Sequence, residues 1–125
     1  MRIVLTPEEI ADYRAEFSGH PAALHAVTVI EDCEGDLEDA AIVLAIQSGQ
    51  QPDTNDRWLE GLAKRWRLTL CQDPLREQLA DGVTGDIIAA ITVNTEIPAK
   101  LVTAMAIYVS KIGIYPFCQP LEEKL

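Results

Sequence analysis

The chain has 125 residues, 48% of them hydrophobic, and a formal net charge of −10. That composition excludes a disordered chain and leaves enough apolar surface for one domain's core to form without a metal or disulfide. Twelve carboxylates fall in the first 56 residues against Arg2 and Arg14, while residues 57 to 125 carry eight acids and eight bases. This asymmetry favours a basic partner surface and argues against nucleic acid, where each phosphate contact needs a Lys or Arg.

Thr6-Pro7-Glu8-Glu9 reads as a helix start, with Thr6 and Glu9 forming a capping box around Pro7 at the first helical position. Ile10, Tyr13 and Phe17 recur at helical spacing and form its apolar face, and Ser18-Gly19-His20-Pro21 breaks it. A second helix opens at Pro21, carries Leu24, Val27 and Ile30, and ends near Cys33, because Gly35 suits a left-handed C-terminal position. Asp36 caps a third helix, whose apolar residues are Leu37, Ala40, Ala41, Leu44 and Ala45 and whose stop is Gly49. Gln50 to Asn55 is loop-like, and Asp53, Thr54 or Asn55 is expected to cap a fourth helix bearing Trp58, Leu59, Leu62 and Trp66.

Asp73-Pro74 reads as cap and first position of a short fifth helix that Asp81-Gly82 ends. Ile87 to Val93 is rich in β-branched residues, yet no credible second strand exists to pair with it, so a helix is expected. The last helix runs from about Pro98 to Ile112, with Gly113 as its stop. Lys100, Thr103, Ile107, Ser110 and Lys111 share a narrow arc, while Leu101, Val102, Met105, Tyr108, Val109 and Ile112 spread around the rest. Such a helix must be wrapped by neighbours, either in the same domain or across a dimer interface. From Ile114 onward, Pro116 and Pro120 suggest an extended tail lying on the core.

The strongest local anomaly is the run Glu31, Asp32, Glu34, Asp36, Glu38 and Asp39, the candidate partner-binding residues. A calcium loop does not fit, because the residue six after Gly35 is Ala41 where a bidentate Glu belongs. The plainer account is a solvated helix-turn-helix corner whose acids favour the start of the third helix. Arg57, Lys64, Arg65 and Arg67 alternate with Trp58 and Trp66. Arg57 and Lys64, seven apart on one face, are expected to pair loosely with carboxylates of the first three helices, and the tryptophans are expected in the core.

His20 and His25 lie on different helical faces with no ligand partner, and nucleophile-elbow and phosphate-loop motifs are absent; Gly82-Val83-Thr84-Gly85 reads as a turn. No catalytic residue, metal ligand or cofactor is therefore expected. Cys33, Cys71 and Cys118 are odd in number and widely spaced, which fits reduced, mostly buried thiols. With no signal-peptide pattern at the start, they point to the cytoplasm. The apolar stretch from Ile97 to Ile114 is interrupted by Lys100 and Lys111 and reads as a buried helix, not a membrane span.

The segment from Ala23-Leu24 through Gly35-Asp36-Leu37-Glu38-Asp39-Ala40-Ala41 to Leu44 resembles the second and third helices of ubiquitin-associated (UBA) domains, which share a G-[DN]-[VL]-E-x-A turn. Phe17 to Pro21 stands where those domains carry a Met-Gly-Phe loop. As a whole the chain is similar to small all-helical proteins of cyanobacteria and to death-like adaptor bundles. These resemblances imply an interaction role. The expected fold is all-α, a single helical domain over residues 1–125 with six or seven short helices and a nearly fully buried C-terminal helix. The expected function is non-enzymatic binding of a basic protein surface or of a second copy, with a small-molecule or divalent-cation-binding regulator as the alternative.

Overall fold

A computed structural model describes residues 3–52 and 57–123. Among them the chain is helical, with one isolated antiparallel bridge between Val4 and Asp36. The helices are α1 (Pro7–Glu16), α2 (Pro21–Asp32), α3 (Leu37–Gln47), α4 (Trp58–Arg65), α5 (Arg67–Leu70), α6 (Leu75–Asp81), α7 (Gly85–Thr95), α8 (Ala99–Ile112) and α9 (Ile114–Glu123). The all-α expectation holds; the number of helices exceeds the expected six or seven because the basic helix breaks at Trp66 and the tail is helical.

α8 is the axis of the fold, packed against α2, α3, α4, α6, α7 and α9. Every residue from Leu101 to Val109 is buried. This corrects the expected polar arc, since Thr103 and Ile107 are both fully enclosed. Thr103 is tolerated because its hydroxyl donates to the Ala99 carbonyl at 2.8 Å, leaving no unpaired polar group inside. Ile112 departs the other way, 38% exposed at the helix end.

The N-terminal half follows local chemistry closely. The Thr6 amide donates to Glu9 Oε1 at 3.0 Å and the Glu9 amide to Thr6 Oγ1 at 3.1 Å, closing the capping box. Tyr13 stacks on Phe17 with ring centroids 5.8 Å apart, and Phe17 is fully buried. The α2–α3 turn passes through Glu34 and Gly35, at φ +57° and +85°. Gly35 cannot carry a side chain there, because a Cβ would run into the Leu5 carbonyl oxygen. The Leu5 amide donates to the Gly35 carbonyl oxygen at 2.9 Å, which lays Ile3 to Leu5 along the turn. Asp36 caps α3, accepting from the Asp39 amide at 3.1 Å.

Ile87 to Val93 lies inside α7, whose cap is Thr84, accepting from the Ile87 amide at 3.2 Å. α7 and α8 meet at a bend of 112°. No single helix among the described residues is long and apolar enough to cross a membrane. In α6, Pro74 and not Asp73 holds the cap position, and no side chain caps the helix.

Two expectations for the C-terminal region are overturned. The segment from Ile114 is helix, not extended chain: Pro116 falls in the first turn, where an amide hydrogen has no helical acceptor to lose, and only Pro120 lies deeper. Cys71 and Cys118 are not free thiols but a disulfide joining the end of α5 to α9, with Cα atoms 5.8 Å apart. Burial of Ile114, Phe117 and Cys118 presses α9 onto the core. Cys33 is free, and burial pushes its thiol pKa up, with Asp39, Asp36 and Asp32 adding to the shift.

Met105→Ala should lower stability by about 2–5 kcal/mol through lost burial and a cavity. Ile112→Ala should cost under about 1 kcal/mol in the same denaturant melts, its side chain being partly in water already. Replacing both Cys71 and Cys118 by Ser should cost about 2–4 kcal/mol, since the bond closes a chain separation of 47 residues. An unchanged melting midpoint would show that α9 is held by packing alone.

Candidate functional site

The six carboxylates of the acidic run do not form one cluster. Glu38 turns inward and is 4% exposed. Its Oε1 accepts from the Leu59 amide at 2.7 Å and its Oε2 from the Glu60 amide at 3.1 Å. Glu38 therefore caps α4 from another helix, satisfying two of the donors that a helix start leaves open. Arg57 stands at the cap position and its side chain does not cap the helix, while Asp53, Thr54 and Asn55 lie outside the described residues. Expectation of Glu38 as a partner-binding residue is thereby corrected, because the interior needs its carboxylate. Burial pushes its pKa up against the two backbone bonds, and Glu60 and Asp36 add to the rise.

The remaining acids take separate roles. Asp36 is the α3 cap, Glu31 pairs with Arg14 at 2.9 Å, and Asp32, Glu34 and Asp39 are exposed. Among the described residues no three His, Cys, Asp or Glu side chains come together as a metal-holding group. His25 meets the Gln47 side chain at 2.7 Å, and the His20 ring lies against Gly85.

A different acidic feature emerges on α1. Glu8, Asp12 and Glu16 are exposed, four residues apart, so they line up along one face. None of the three joins an ion pair among the described residues. Beside this row runs a groove of about 380 Å³ between α1 and α2, lined by Pro7, Ile10, Ala11 and Ala15 with the Arg14–Glu31 pair on its wall. Glu9, between the row's members in sequence, turns away: Lys111 of α8 reaches it at 2.6 Å, and that ammonium, with the capping bond from Thr6, holds its pKa below the usual glutamate value. The i, i+4 spacing of Glu8, Asp12 and Glu16 is legible in the sequence, whereas the engagement of Glu9 by Lys111, 102 residues away, arises only from the tertiary fold.

A second concavity lies where α4, α8 and α9 meet. Its volume is about 140 Å³, and Glu60, Lys64, Arg67, Tyr108, Ile112, Pro116 and Phe117 line it. Lys64 is 3.3 Å and Arg57 3.9 Å from Glu60, so the expected pairing of these bases with the first three helices gives way to pairing along their own helix. The Arg67 guanidinium lies over the Phe117 ring, 4.8 Å from its centroid. Burial pushes the Tyr108 hydroxyl pKa up to about 12, with Glu60 and Glu38 adding to the shift and Arg67 opposing it.

Comparison of the chain with family models, with curated proteins and with solved structures finds no match.

Glu38→Ala should destabilise by about 1–3 kcal/mol, since two amides at the start of α4 lose their acceptor. Because the folded pKa of Glu38 is raised, its contribution to stability strengthens as pH falls toward the ordinary glutamate range and weakens as pH rises through the folded value. Paired denaturant melts of the wild type and Glu38→Gln should thus show the difference, wild type minus variant, growing more favourable from neutral to acid pH. A pH-independent difference would mean that burial does not perturb Glu38.

Proposed function

We propose that this protein acts by binding, docking a basic, partly apolar protein segment on the α1–α2 face. The observation that supports this reading is the row Glu8, Asp12 and Glu16, without ion pairs among the described residues, beside the apolar groove of Pro7, Ile10, Ala11 and Ala15. Like charges four apart on a helix cost roughly 0.2–0.5 kcal/mol per pair, so the row contributes nothing to the isolated fold. A partner's Lys or Arg side chains would relieve that repulsion, while an apolar side chain fills the groove. Glu31, at the groove wall, and Asp32 and Glu34 beyond it extend the negative field. A second copy would present the same sign of charge, which disfavours self-association through this face and favours a separate basic partner.

Glu8→Gln, Asp12→Asn and Glu16→Gln combined should weaken binding of an amphipathic helical peptide with lysines at every fourth position, chiefly by slowing association. The remaining binding should depend less on salt, because screening grows steeply as the Debye length falls from about 10 Å at 0.1 M to about 3 Å at 1 M. Calorimetric titration at both ionic strengths checks this. Equal affinity of the wild type and the triple variant would remove the α1 row from the binding surface. The same triple variant should be no less stable than the wild type, a few tenths of a kcal/mol of repulsion having been removed.

A further inference from the structure

The cleft between α4, α8 and α9, less open than the acidic groove, sets the donors Lys64, Arg67 and Tyr108 beside the apolar side chains of Ile112, Pro116 and Phe117. Arg67 is held with its guanidinium over Phe117, and its Nε is sealed from solvent without a hydrogen-bond partner. No hydrogen bond or ion pair to its Nη groups exists among the described residues, and none to the Tyr108 hydroxyl. The sealed Arg67 Nε–H gives up hydration without recovering a hydrogen bond from a partner among the described residues.

From this arrangement we infer that the cleft is a binding site for a short-chain monocarboxylic acid. The carboxylate would take the open Nη edge of Arg67 and the Tyr108 hydroxyl as donors, and the hydrocarbon end would lie against Ile112, Pro116 and Phe117. Charge favours a monoanion over a dianion: Arg67 and Lys64 supply the positive charge, while Glu60 on the wall and Glu38 acting on Tyr108 would repel a phosphate monoester more than a single carboxylate. A volume of about 140 Å³ corresponds to roughly five waters' share of liquid volume, which gives room for a three- or four-carbon acid. Tyr108 suits the donor role because it stays protonated throughout the neutral range. The site is separate from the α1–α2 face, and its failure would leave the reading of that face untouched.

Propionate is the probe, followed on the intact protein by two-dimensional ¹H–¹⁵N spectra. The Arg67 Nε–H group is sealed from water, so its signal should persist and report on the guanidinium directly. Propionate should shift that signal along a saturable curve with millimolar affinity, as expected for so small a ligand. Propionamide at the same concentrations, and sodium chloride at matched ionic strength, should leave it in place. Tyr108→Phe, which keeps the ring and removes the donor, should weaken propionate at least fivefold; Arg67→Gln should abolish saturation. Should Arg67→Gln fail to fold, Tyr108→Phe alone decides. A non-saturating shift, equal shifts with propionamide, or unchanged affinity in Tyr108→Phe would overturn the assignment. Tighter binding of methylphosphonate would overturn the monoanion class. Tighter binding of acetyl-dialanine than of propionate would overturn the free acid in favour of a peptide's terminal carboxylate.

Discussion

The fold depends on a helix that has no face for water. From Leu101 to Val109 each side chain of α8 is buried, so the free energy gained from any one face is available only if neighbours close the others. Six helices do so from within the chain, which removes the need for a second copy to cover it. That enclosure also explains α9. Without it the α8 end would leave apolar surface facing water, and Ile114, Phe117 and Cys118 supply the missing cover. The disulfide to Cys71 then acts on a segment already packed, shrinking the unfolded ensemble more than shaping the folded one.

The bond also bears on where the chain works. The expectation of a cytoplasmic setting rested partly on three unpaired thiols, and a disulfide formed from two of them withdraws that support, since such bonds persist chiefly in oxidising surroundings. Cys33 is a free thiol, and burial, with the acids around it, favours its less reactive protonated form.

Sequence alone conveyed those parts of the structure whose cause is local. The Thr6–Glu9 box, the Asp36 cap and the glycines at positions 35, 49, 82 and 113 act within a few residues of themselves, and each appears where expected. Thr84 carried the same kind of signal and could have been recognised from its place before Ile87. Glu38 could not. Its position in the first turn of α3 has a sufficient local explanation in the helix dipole, whereas its partners lie 21 and 22 residues further on, across a packing interface. The helicity of α9 was hidden for a related reason: two prolines lower local propensity, and only contacts with α5, α6 and α8 reverse the balance. The α4–α8–α9 cleft was least legible of all, because Arg67, Tyr108 and Phe117 become neighbours solely through the tertiary fold.

The last turn of α8 shows how one short stretch serves both surfaces. Ser110 lies near the Tyr13 hydroxyl and opposes the rise that burial gives its pKa, and Lys111 pairs with Glu9, so the last turn of α8 is fastened to α1. Ile112, the next residue, points to the opposite concern and lines the cleft with Pro116 and Phe117. The polar residues of this turn, which from spacing alone read as a solvent arc, are thus spent on an interface with the most acidic helix of the protein. Lys111 is a base from the balanced half of the chain compensating an acid from the charged half, and by engaging Glu9 it leaves Glu8, Asp12 and Glu16 as the uncompensated set. The charge asymmetry read from the sequence is therefore partly internal, and of what remains outside the Glu8, Asp12 and Glu16 row lines one helix face, with Asp32, Glu34 and Asp39 exposed elsewhere, so that one sign of field meets an approaching partner.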